Sequence, residues 1–167
     1  MKKLVVTFLG VLLMSSFAMA QSPLGSRGKQ INFGIGLSDW GVPIYGGMDF
    51  GVHKDISVGF ELSYRSHNWH HRGHSHSHSH YGIIGRGDYH FNTAFNIPQN
   101  WDLYAGLNLG VHGHGDDDHD GHDEFSGVGL GLQVGGRYYF SSKWGINLEF
   151  SGGSSVAQAK FGLSVKI

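Results

Sequence analysis

Ile56-Ser57-Val58-Gly59-Phe60-Glu61-Leu62-Ser63-Tyr64-Arg65 decides the fold, because every second residue is apolar and those between are small, polar or charged. A strand sends successive side chains to opposite faces. Ile56, Val58, Phe60, Leu62 and Tyr64 therefore make one oily face, while Ser57, Gly59, Glu61, Ser63 and Arg65 make a polar one. The split recurs downstream. Trp101, Leu103, Ala105, Leu107, Leu109 and Val111 oppose Asp102, Tyr104, Gly106, Asn108, Gly110 and His112, and Phe161, Leu163, Val165 and Ile167 oppose Gly162, Ser164 and Lys166. Followed along the chain, alternation predicts eight strands at 30–39, 44–53, 56–66, 81–91, 101–112, 126–140, 144–154 and 156–167. Each is long enough to cross a bilayer at a tilt.

A soluble lipocalin-like barrel alternates too, with its apolar face inward. Three signs point the oily face outward. Aromatics gather at strand ends, with Trp40, Tyr45, Tyr64, Trp69 and Tyr81 at one and Tyr89, Phe91, Trp101, Tyr138, Phe140 and Trp144 at the other, a double interface girdle. The polar face carries Asp49, Glu61, Arg86, Asp88, Arg137, Glu149 and Lys160 in mid-strand, charges that suit a salt-bridged plug inside a small barrel. The last strand runs to Ile167. The expected fold is all-β, an eight-stranded antiparallel up-and-down transmembrane β-barrel.

Lys2 and Lys3 precede the apolar run Leu4 to Met14, and Ala18-Met19-Ala20 offers a cleavage pattern before Gln21, so residues 1–20 are expected to be a cleaved signal peptide. The run is too short to span about 30 Å of hydrocarbon as a helix. Loss of the two lysines leaves ten basic and thirteen acidic residues, a mature charge of about −3 that makes nucleic acid an unsuitable partner. No cysteine is present to carry a lipid anchor or a disulfide framework. The expected organisation is a lead-in at 21–29 and one barrel domain at 30–167.

These features resemble the OmpA/OmpX-like family of eight-stranded outer-membrane barrels. The resemblance covers residues 30 to 167 and rests on the alternation, the export signal and the C-terminal strand. It implies the outer membrane of a Gram-negative bacterium, with lipid, lipopolysaccharide and the outer-membrane assembly machinery as partners. It also implies a structural protein, adhesin, narrow channel or lipid-modifying enzyme. The family's last strand usually ends in an aromatic residue read by the assembly machinery; here Ile167 takes that place, while Phe161 keeps the alternation.

With the N-terminus in the periplasm, odd strands run outward and the connections 40–43, 67–80, 113–125 and 152–155 lie outside. Two of these, together with His112 at the edge of the second, carry eleven of the thirteen histidines. The first, loop 67–80, holds His67, His70, His71, His74, His76, His78 and His80. In extended backbone the last four share a face, where imidazoles suit borderline ions such as Zn²⁺, Ni²⁺ or Cu²⁺. The second, loop 113–125, holds His114, His119 and His122 with Asp116, Asp118 and Asp120, beside His112 at the preceding strand end, and adds oxygen ligands. Ordering flexible loops costs about 1–2 kcal/mol per residue, which favours weak multi-site capture over one rigid site. The expected function is divalent-metal binding at the cell surface; the alternative is a structural or adhesive barrel whose loops are merely hydrophilic.

Asp116-x-Asp118-x-Asp120-Gly121 opens like a calcium loop, but Gly127 stands where the closing glutamate belongs, leaving at most a weak Ca²⁺ site. Gly127-Val128-Gly129-Leu130-Gly131 alternates strictly and reads as barrel wall rather than phosphate loop. No nucleophile motif is present, so the chain is expected not to be an enzyme. Eight strands enclose room only for side chains, which disfavours a channel.

Overall fold

The computed structural model describes residues 22–38, 41–71, 74–116, 124–153 and 157–167; the expected signal peptide at 1–20 and Trp40, expected in a girdle, lie outside them. Eight strands follow in order: β1 (Lys29–Leu37), β2 (Ile44–His53), β3 (Ile56–His71), β4 (His74–His90), β5 (Trp101–Asp116), β6 (Glu124–Tyr139), β7 (Trp144–Gly153) and β8 (Ala159–Lys166). Among the described residues one short helix, α1 (Asn92–Phe95), interrupts them. Each strand pairs antiparallel with its sequence neighbour, and β8 pairs β1 from Gln30 opposite Lys166 to Leu37 opposite Ala159, closing the barrel. Closure leaves no strand of the barrel wall at an open edge.

Its polarity is inverted relative to a water-soluble protein. Phe60, Leu62, Leu107, Leu109, Leu132, Leu148 and Phe161 all stand exposed on the outer wall. Asp49, Glu61, Asp88, Asp102, Arg137, Glu149 and Lys160 are buried inside. An oily belt of this extent is stable only where hydrocarbon, not water, meets it.

Buried charges need partners, and the lumen supplies them. Lys160 Nζ lies 2.7 Å from Glu61 Oε1 and 2.8 Å from Glu149 Oε1. Arg86 donates to Glu149 Oε2 at 2.6 Å and to Asp88 Oδ2 at 2.9 Å. Arg137 bridges Asp49 Oδ2 at 2.8 Å and Asp102 Oδ2 at 2.9 Å, its guanidinium 4.1 Å from the Tyr104 ring centre. Gln30 ties in β1, donating to Asp49 and accepting from the Tyr139 hydroxyl. The plug expected from alternation thus joins all eight strands. Bulk is relieved by glycine where two side chains need the space: a Cβ on Gly135 would collide with the Tyr104 hydroxyl, and one on Gly131 with the Asn108 amide. A cavity of about 10 Å³ lies between Tyr45, Arg86, Tyr104, Glu149 and Lys160, room for about one water.

Three features depart from the sequence expectation or add to it. Tyr45 does not join a girdle. Its neighbour Ile44 takes the outward position, so period two turns Tyr45 inward, where its hydroxyl donates to Asn147 Oδ1 at 2.6 Å. Secondly, the connection 92–100 is long because it builds a floor: Phe91 stacks on Phe95 at 5.6 Å, Asn92 Nδ2 donates to the Trp101 carbonyl at 2.6 Å, and the Thr93 hydroxyl donates to Asp55. Thirdly, β3, β4, β5 and β6 run well past the oily face. The segments 67–71, 74–80, 113–116 and 124–125, expected as loop, are paired strand. Apolar alternation stops near Tyr64 and Tyr81, but backbone pairing needs no apolar side chain to continue.

Candidate functional site at the hairpin end

Two positions mark where the oily belt ends. Trp101 stands exposed and 4.8 Å from the Tyr138 ring at the floor, while Tyr81 lies opposite Gly113 toward the hairpins. About twelve residues of β5 separate these levels, which at about 3.3 Å each and a tilt of about 40° span about 30 Å, the thickness of a hydrocarbon core. The described residues beyond Tyr81 and Gly113 therefore project past the belt. Both projecting hairpins lie at one end of the barrel, opposite the floor and the β1 start.

The register places the expected ligands one by one. His67 lies opposite His78, His70 opposite Ser75, His71 opposite His74, and His76 opposite Trp69. His80 lies opposite Arg65 on one side and His114 on the other, with His78 opposite Asp116 and His112 opposite Gly82. His114 is in turn opposite Glu124, beyond an irregularity between Val111 and Gly113. Asp118, Asp120, His119 and His122 lie outside the described residues. Among the described residues no group of three or more His, Cys, Asp or Glu forms a ready metal site. Register sets ligand-type residues side by side instead.

At the opposite end sits a constellation that sequence spacing concealed. His90 Nδ1 lies 2.7 Å from Asp102 Oδ1, and His90 Nε2 lies 2.9 Å from Ser57 Oγ. This is the order of a nucleophile, a base and an orienting acid. All three are buried to within 1 % of full exclusion, and Arg137 occupies the second Asp102 oxygen. A hydroxyl so sealed meets no substrate, so the trio fills the floor of the plug and links β3, β4 and β5. Because the three come from different strands, only the assembled register brings them together; the one sequence signal was that each shares its strand's polar face.

The sequence matches the family described as outer membrane protein beta-barrel domain over residues 6–164. Among curated proteins none matches it. Three solved barrels share the fold. The N-terminal β-barrel domain of Pseudomonas aeruginosa OprF superimposes with a TM-score of 0.59 at 14% identity, over 86% of this chain and 99% of that one. Neisserial surface protein A gives 0.53 at 16% identity, over 84% and 95%. The Yersinia pestis attachment invasion locus protein Ail, in complex with the heparin analogue sucrose octasulfate, gives 0.51 at 12% identity, over 84% and 95%. At such identities the likeness is one of fold.

Proposed function

We propose, from the premise that this chain belongs to the outer membrane protein beta-barrel family and lies in the outer membrane of a Gram-negative bacterium, that its two histidine-bearing hairpins capture divalent zinc-type ions at the cell surface. The observation that carries this is the placement of both hairpins at one end of the barrel, beyond the oily belt, with histidines at positions 67, 70, 71, 74, 76, 78, 80 and 114, and His112 just inside the belt's end. Outer-membrane barrels keep short turns inside and long excursions outside, which puts this end in the medium. A signal peptide at 1–20 delivers the chain, the assembly machinery inserts it, and lipopolysaccharide surrounds its outer rim. The protein is not an enzyme: it concentrates cations rather than transforming them.

Neutral imidazole is the ligand form, so Zn²⁺ affinity should be present above the ordinary histidine pKa of about 6.5 and fall away below it as protons compete. Calorimetric titration of the refolded barrel should give clear Zn²⁺ binding near pH ~7.5 and little near ~5. Replacing Asp118 and Asp120 by Ala should chiefly weaken whatever Ca²⁺ is bound. Equal Zn²⁺ binding at the two pH values removes the imidazoles from the account and leaves a structural or adhesive barrel.

A further inference from the structure

We propose that His78 and His80 on β4, with Asp116 and His114 opposite them on β5, constitute one defined zinc-type site that fastens the two hairpins together. This rests on the metal-binding function above and makes it specific. His78 is paired with Asp116 and His80 with His114 in consecutive same-face steps of the β4–β5 ladder. Directly opposed residues share a face, and so do positions two apart along a strand. The four positions are therefore the corners of one block. Continued down the strands, these register positions belong to the same face as Gly82, Ile84, Asn108 and Gly110, which are buried in the lumen.

Spacing separates this block from a row of histidines along one strand. Opposed positions stand about 5 Å apart between Cβ atoms, whereas positions two apart along a strand stand about 7 Å apart. Three histidines of the row 74, 76, 78 and 80 would span about 14 Å, too far to converge on one ion with bonds of about 2.1 Å. The block keeps every corner within about 4–5 Å of its centre. Three nitrogens and one carboxylate make a tetrahedral zinc set and a poor calcium set, since Ca²⁺ prefers six or more oxygens. His67 opposite His78 and Glu124 opposite His114 flank the block and extend its influence to β3 and β6. Strand pairing has already ordered the backbone at all four corners, so the ordering cost that would favour diffuse capture by free loops does not apply here.

The test is Zn²⁺ calorimetry on the full refolded barrel near pH ~7.5, comparing His114→Ala with the double substitution His74→Ala/His76→Ala. Losing a first ligand should raise Kd at least about tenfold, the lower bound for losing even an outer partner of a ligand. The double variant should change it less than about threefold, as expected of residues outside the contact set. Co²⁺ bound to the wild-type barrel should give the intense visible absorption of four-coordinate cobalt, and His114→Ala should abolish it. His80→Ala serves in the same way should His114→Ala not refold, and combining the two should cost less than the sum of the separate losses. If His74→Ala/His76→Ala weakens binding as much as His114→Ala, the block is overturned in favour of a single-strand row, with the metal-binding function intact. If wild-type barrel binds no Zn²⁺, that function falls, and the block with it.

Discussion

Arg137→Met should lower the urea unfolding free energy of the refolded barrel by about 3–5 kcal/mol, because removing one partner of a buried ion set strands the charges that remain. Arg137 is the only arginine bonded to Asp102 among the described residues, and it shares Asp49 with Arg86, which stands farther off at 3.7 Å. Its guanidinium also covers the Tyr104 ring. A methionine fills much of the volume but returns none of the charge. Adding Asp102→Asn to Arg137→Met should recover part of the loss by neutralising one stranded carboxylate, and the difference between the two variants isolates the electrostatic share. Unfolding of Arg137→Met within about 1 kcal/mol of wild type would show that the lumen is hydrated enough to screen these charges.

Leu107→Arg should cost about 2–4 kcal/mol when the barrel is unfolded from lipid vesicles, the penalty for a cation at the bilayer midplane. Leu107 lies midway between Trp101 and Gly113 on β5, opposite Leu132, and both leucines are exposed on the outer wall. The same substitution at Val42, exposed in the β1–β2 connection near the hairpin end, should cost only about 0–1 kcal/mol, since the penalty falls toward the interfaces. That depth dependence is the signature of lipid contact. Equal effects at the two positions would mean that the belt does not meet hydrocarbon.

The barrel was legible in the sequence because period two is a one-dimensional signal. Phe60, Leu62, Leu107 and Leu109 announce their wall face without any knowledge of their neighbours, and Glu61, Arg86 and Glu149 announce the plug by sharing the opposite face. What escaped depends on partners distant in the chain. His90, Ser57 and Asp102 each stand on a polar face that alternation marks, but they meet only after three strands are in register. The strand extensions escaped for a different reason. Ser and His alternate through residues 74–80 with no apolar member, so the face that defines a membrane strand is missing although the backbone ladder continues to His71 opposite His74. The ligand types of the hairpins were visible, whereas the pairing of His80 with His114 was not, because it is a property of register between segments that the sequence holds far apart.

The seam between β1 and β8 has a consequence for how the molecule comes into being. Ser164 donates to Asn32 across 132 residues, and the Ile167 amide donates to the Lys29 carbonyl across the same closure. Contacts that join the two extremities of a chain carry the largest loop-closure entropy and form late. Until the final strand arrives, β1 presents an unpaired edge that hydrocarbon cannot satisfy, since no water is there to bond its amides and carbonyls. A chain lacking β8 would thus have no shorter barrel to settle into, and its nascent form would need shielding until the last residue is in hand. Closure of the seam is accordingly the last step expected in forming this barrel.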